Sequence, residues 1–181
     1  MIYNFLAIGA ASILLTGNVL ANLPILNLLN VLYIGFPAGI PGVTLLLLRV
    51  GVGVLFWLHG YPKITHLQQW SNGLKMPIAL CFLSALSMLL GGVCLIVGFL
   101  TPLASVAIFG SMAFAMFLEI SQGLPFVARD PYQIPAGQYE GPKGKGEPQS
   151  WEKAFMYCLM LIVIAVLGPG AFSLDAVIFG R

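Results

Sequence analysis

The chain has 181 residues, of which 59% are hydrophobic and only 8% charged, with a formal net charge of +2. A water-soluble domain carries about 25% charged residues, so this composition excludes one, and no basic run points to nucleic acid. Transmembrane β-barrels alternate apolar and polar residues over short segments, whereas the apolar runs here are continuous and of helical length. The expected fold class is therefore an all-α integral membrane protein in a lipid bilayer: a four-helix transmembrane bundle with an extra N-terminal membrane segment.

The first apolar segment, Ile2–Ala21, reads IYNFLAIGAASILLTGNVLA and is softened by Asn4, Thr16 and Asn18. Val19 and Ala21 suit the −3 and −1 positions of a cleavage site, but no Lys or Arg precedes the apolar region. A retained anchor is expected rather than a signal peptide. Residues 23–42, LPILNLLNVLYIGFPAGIPG, carry Leu and Ile at helical spacing and then Pro and Gly, which predicts a short interfacial helix followed by a loop. Residues 1–42 thus form an anchor plus interfacial segment, and 43–181 the four-helix domain.

The four further segments span about 42–61, 77–99, 102–120 and 152–168. Thr101-Pro102 breaks the second from the third, and proline is tolerated in a first helical turn because its missing N–H would be unpaired there. Residues 121–150 (SQGLPFVARDPYQIPAGQYEGPKGKGEPQS) are rich in Gly, Pro and charge. They read as an extramembrane loop, either a connector or a docking surface for a larger complex.

Alternation of the four helices puts Lys63, Lys75, Arg129, Lys143, Lys145 and Lys153 on one membrane face and leaves Arg181 on the other. The bias of positive residues toward the cytoplasm places the loops 62–76 and 121–150 there. Cys81, Cys94 and Cys158 form neither a C-x-x-C pair nor a zinc pattern, so they read as small buried apolar side chains.

Charges inside the apolar runs carry the functional signal. Arg49 lies roughly 8–10 Å inside its segment, at a cost of about 2.5 to 17 kcal/mol if unpaired. It can snorkel outward, pair with Asp175 in GPGAFSLDAV, or contact an anion or a quinone carbonyl. His59 and Lys63 stand about 15 and 21 Å further along the same helix, so this stretch builds two sites, one near each face. At the second, Glu119 ends the third segment and Glu152 begins the fourth, so His59, Lys63, Glu119 and Glu152 are expected at one depth. A histidine near acids at a membrane boundary can carry protons, and the same arrangement satisfies an interfacial histidine structurally. Gly51, Gly53, Gly60, Gly91, Gly92 and Gly98 read as helix-packing positions, and Phe56, Trp57, Tyr61 and Trp70 as an aromatic belt. His59 and His66 are the only histidines and share one stretch, which argues against bis-histidine haem. No metal site, Rossmann fingerprint, Walker loop or reactive dithiol is evident.

The pieces LLLLRVGVGVLFWLHGYPKI (45–64), LLGGVCLIVGFLTPLASVAIFGSM (89–112) and EKAFMYCLMLIVIAVLGPGAFSLDAV (152–177) together resemble the DoxX family of small bacterial four-helix membrane proteins. The resemblance spans about 43–178 and picks out Arg49, His59, Gly60, Lys63, Gly91, Gly92, Glu152 and Asp175. It implies a membrane subunit of a redox system in the bacterial inner membrane, exchanging electrons with quinone as in a thiosulfate:quinone oxidoreductase. The polar end of the quinone site would be His59, Lys63 and Glu119 or Glu152, and a partner redox subunit would supply electrons. The alternative is a non-catalytic structural or assembly subunit that docks through 121–150. Two positions depart from many relatives: Met88 stands where they have an acid, and Thr101-Pro102 where they have Thr-Arg.

Overall fold

The computed structural model describes Tyr33, residues 35–130, the pairs 140–141 and 144–145, and residues 149–180. The chain divides after Gly35, and the architecture below is that of the unit from Phe36 onward. The expected N-terminal anchor and its signal-peptide alternative lie outside the described residues, as does most of the interfacial helix.

Helix α1 spans Gly39–Thr65. The short α2, Leu67–Leu74, follows. Helix α3 spans Ile78–Val97 and α4 Thr101–Ser121. Residues 140–141 and 144–145 form a minimal antiparallel pair, β1 with β2. Helix α5 spans Glu152–Leu167 and a short α6 covers Leu174–Phe179.

Four helices share one core. Val52 and Phe56 of α1, Met88 and Leu95 of α3, Ala104, Ile108 and Met112 of α4, and Cys158, Leu161 and Ile164 of α5 are all buried together. The outward faces are just as apolar: Leu47, Leu83, Val106, Phe117 and Ile162 are exposed. Large contiguous apolar surface of this kind is foreign to a soluble monomer and natural where lipid is the solvent. By length and composition α1, α3 and α4 are long and apolar enough to cross a membrane. Helix α5, at 16 residues, is shorter than the roughly 20 residues that span a bilayer.

Helices α1 and α3 meet at glycines. A Cβ on Gly53 would stand 2.7 Å from the Gly92 carbonyl oxygen, and one on Gly92 would stand 2.7 Å from the Gly53 carbonyl oxygen. Further along, a Cβ on Gly60 would come within 2.8 Å of the Leu89 nitrogen. Gly91 faces the other way, onto the Ile108 side chain of α4. Such backbone approach is how membrane helices gain van der Waals contact without a hydrophobic driving force between them. Gly51 takes no part, since nothing lies within 4 Å of where its Cβ would be.

Two expectations need correction. Residues 62–76 are not a plain loop: α1 continues through Pro62 to Thr65, and α2 fills most of the rest. The Ser71 hydroxyl donates to the Met76 carbonyl at 2.7 Å, which closes α2 back onto the start of α3. Phe56 does not belong to an interfacial belt. It is 1% exposed and packs on Tyr157 with ring centroids 5.0 Å apart. Trp57 and Tyr61 are exposed and stack on each other at 5.9 Å.

The start of α5 is pinned beneath the end of α4. The backbone N–H groups of Trp151 and Glu152 donate to the carbonyls of Pro125 and Phe126, and the Phe126 and Trp151 rings lie 4.2 Å apart.

Candidate functional site

The intramembrane charges form two clusters, at opposite ends of α1. The first surrounds Arg49, whose residue is 1% exposed. Its Nη2 donates to the Phe172 carbonyl at 2.7 Å, while Nε and Nη1 have no hydrogen-bond partner. The guanidinium lies against Gly98, where a Cβ would overlap Nη1. Gly98 ends α3 at φ +72°, so hydrogen serves there both as the residue that fits a left-handed turn and as the gap the arginine occupies.

Asp175, fully buried, faces the same turn. Its Oδ1 accepts from the Leu100 N–H at 2.7 Å and its Oδ2 from the Thr101 N–H at 2.9 Å. Those donors open α4 and would otherwise be orphans, and a carboxylate there also meets the positive end of the helix dipole. The Asp175 N–H returns a bond to the Gly98 carbonyl at 2.8 Å. Ser173 caps α6, accepting from the Ala176 N–H at 3.0 Å. GPGAFSLD is thus a strap that folds back over the α3–α4 turn.

Arg49 does not snorkel outward, and its expected pairing with Asp175 is not a hydrogen-bonded one: each binds backbone of the other's neighbourhood. The two charges stay within electrostatic reach. Arginine and aspartate therefore fasten three chain segments, and the cluster reads as architecture.

The second cluster lines a cavity of about 590 Å³. Lys63, Trp70 and Leu74 close one end of it, Cys81, Ser84, Ser87 and Met88 of α3 form one wall, and Ser111, Phe114 and Glu119 of α4 the other. The exposed Leu80, Leu83 and Phe114 place its opening on the lipid-facing side. Lys63 Nζ donates to the Met88 thioether at 3.3 Å and stands 4.8 Å from the Trp70 ring centroid. Sulfur is a weak acceptor and the ring face a favourable seat for a cation. Glu119 Oε2 is shut off from solvent and has no hydrogen-bond partner. In mid-cleft, Ser87 bonds to the Ser84 carbonyl and to the Ser111 hydroxyl, each at 2.8 Å.

Of the four residues expected together, the cleft holds Lys63 and Glu119. His59 and Glu152 are not part of its lining. His59 is exposed on another side of α1, with Nδ1 2.9 Å from the Leu55 carbonyl and its ring edge-on to Tyr157 at 6.0 Å. Gly60, Gly91 and Gly92 serve helix packing, and none lines the cleft. Trp70, Met88 and the serine pair were not singled out from sequence as site residues. An ammonium flanked by an aromatic two turns on is a signal that Lys63 and Trp70 did offer. Among the described residues no group of three or more His, Cys, Asp or Glu could hold a metal ion.

A family model described as DoxX matches residues 44–119, which contain Arg49, the glycine contacts, Lys63 and Glu119 but stop short of Glu152 and Asp175. No curated protein and no solved structure matches the chain.

Proposed function

Taking a DoxX-family membrane domain over residues 44–119 as premise, we propose that the chain is the membrane subunit of a redox system and holds a quinone between α3 and α4. The observation that carries this reading is the cleft: about 590 Å³, within the roughly 300–1,000 Å³ of small-ligand sites, with mainly apolar walls, serines along them, and Lys63 and Glu119 in its lining. The isoprenoid tail leaves past Leu80 and Leu83 into lipid. Lys63 donates to a ring oxygen, and Glu119 takes or gives the proton that accompanies ring reduction. His59, outside the cleft, has no part in this. Electrons come from a partner subunit, for which residues 121–150 are the docking surface. In this reading α5 makes the fourth crossing, and residues 62–76 and 121–150 face the cytoplasm of a bacterial cell.

Purification in a mild detergent, with extraction and mass spectrometry of retained lipids and co-purifying proteins, tests the proposal. Near-stoichiometric quinone is expected, lost in Lys63→Ala and kept in His59→Ala. A partner complex that retains no quinone, survives Lys63→Ala and dissociates when 121–150 is deleted would replace this reading with that of a structural subunit.

A further inference from the structure

We infer that Cys81 is a reactive thiol of the cleft that adds covalently to a para-quinone keeping an unsubstituted ring carbon, so that the ring the cleft can exchange is a fully substituted one. This rests on the reading of the cleft as a quinone site and names the class of ring it takes.

The cavity and its Lys63 end place the nucleophile. Cys81, Ser84 and Met88 recur at helical spacing along α3 and line one wall. Cys81 is a free thiol, closed off from bulk solvent at 4% exposure yet part of the cavity lining. It lies in the opening turn of α3, and Glu119 in the last turn of α4. Both stand within electrostatic reach of Lys63. The thiol and Lys63 Nζ therefore meet the same end of a bound ligand. The other two thiols do not. Cys158 belongs to the buried helix core and Cys94 packs partly buried against it, and neither lines the cleft.

A quinone carbonyl that accepts from Lys63 Nζ is polarised, and the electron deficiency falls on the ring carbon conjugated to it. Where that carbon bears hydrogen, Cys81 Sγ attacks it. The S–H bond breaks and an S–C bond forms. The ring C=C pair moves onto the carbonyl oxygen, which takes a proton. The hydrogen of the attacked carbon then passes to the second oxygen as the ring becomes aromatic. The thiol hydrogen and the ring hydrogen end as the two hydroxyl hydrogens of a thioether-substituted quinol. The attacked carbon is oxidised as the two carbonyls are reduced, so no outside oxidant or reductant enters. A ring alkylated at every carbon has no hydrogen to expel, so addition to it reverses and the ring remains free to leave. The thiol thus divides quinones into those the cleft exchanges and those it traps.

The full chain in mild detergent, incubated with a short-tailed para-quinone bearing one open ring carbon, tests this. Peptide mass spectrometry times the adduct at each cysteine, with and without a fully alkylated quinone of equal tail length as competitor. Exposure alone ranks Cys94 first, since Cys81 and Cys158 are each 4% exposed. The cleft ranks Cys81 first. Cys81 is expected to gain the mass of the ring at least about tenfold faster than either other thiol, because a ring held beside its nucleophile reacts at a raised effective concentration. The competitor should suppress that adduct and form none itself, and Cys81→Ser should abolish the adduct while retaining the competitor. Retention of the competitor with Cys81 no faster than Cys94, a Cys81 adduct that the competitor does not slow, or an adduct from the fully alkylated ring would overturn the inference and leave the quinone site standing. Neither retention of the competitor nor reaction at Cys81 would overturn it together with the proposed function.

Discussion

Asp175→Ala should unfasten the Arg49 end of the protein, lowering stability by about 3–5 kcal/mol. The size follows from what one carboxylate does there. It satisfies the Leu100 and Thr101 N–H groups at the start of α4, and it is the counter-charge within reach of a guanidinium that is 1% exposed. Removing it leaves two donors unpaired, one buried and one partly buried, and a positive charge uncompensated. A thermal-unfolding midpoint in detergent, read by circular dichroism, is the measurement. The double variant Arg49→Leu/Asp175→Ala should recover part of the loss, because it removes the stranded charge although not the stranded amides. A single variant as stable as the parent would mean that the cluster does not hold the strap.

Gly92→Leu should cost at least about 3 kcal/mol, at the upper end of overpacking penalties, and Gly53→Leu about the same. The atoms a side chain would strike are backbone: the Gly53 carbonyl oxygen at 2.7 Å and the Trp57 nitrogen at 2.8 Å from the Gly92 position. A rotamer change cannot clear them, so α1 and α3 must separate along the crossing and give up contact over several turns. Gly51→Leu on the open side of α1 is the control and should be nearly neutral. Unfolding of the three variants by a graded denaturing detergent checks the ranking. Equal midpoints would show that the crossing tolerates separation. A smaller effect is expected at the α3–α4 turn, where Gly98→Ala combines left-handed strain of about 1 kcal/mol with displacement of the Arg49 guanidinium.

Much of this architecture was legible before any coordinates. Continuous apolar runs define α1, α3, α4 and α5 to within a few residues, because lipid allows few alternatives to a helix. The rare charges inside those runs marked both clusters, since each is too costly to be incidental. The azimuth of side chains around a helix was harder to read. His59 and Lys63 are four residues apart, which at 3.6 residues per turn leaves them offset around the axis. Lys63 also has a long stem that carries its ammonium to Met88 of α3, whereas the His59 ring meets Tyr157 of α5. Glu152 begins α5 and does not line the cleft. Helix α2 was hidden for a different reason: Pro62 upstream and Asn72-Gly73 within it are the residues that mark turns, and eight residues carry too little periodicity to overrule them. Met88 stood out in the sequence only as replacing an acid found in many relatives, and the structure shows its sulfur accepting a hydrogen bond from Lys63.

The strap over the α3–α4 turn also sets a timetable for biogenesis. Arg49 enters the bilayer with α1, yet the carbonyl that receives its Nη2 hydrogen belongs to Phe172, 123 residues later. At ribosomal rates of about 5–20 residues per second, that interval is roughly 6–25 seconds. Throughout it the guanidinium waits for a partner not yet synthesised, and once Leu100 and Thr101 are made the first amides of α4 wait as well, for Asp175 some 75 residues later. The nascent helices must spend that time at the translocon, at the bilayer surface or in the hands of an insertase, so the protein becomes independent of its assembly machinery only when residues 172–175 emerge.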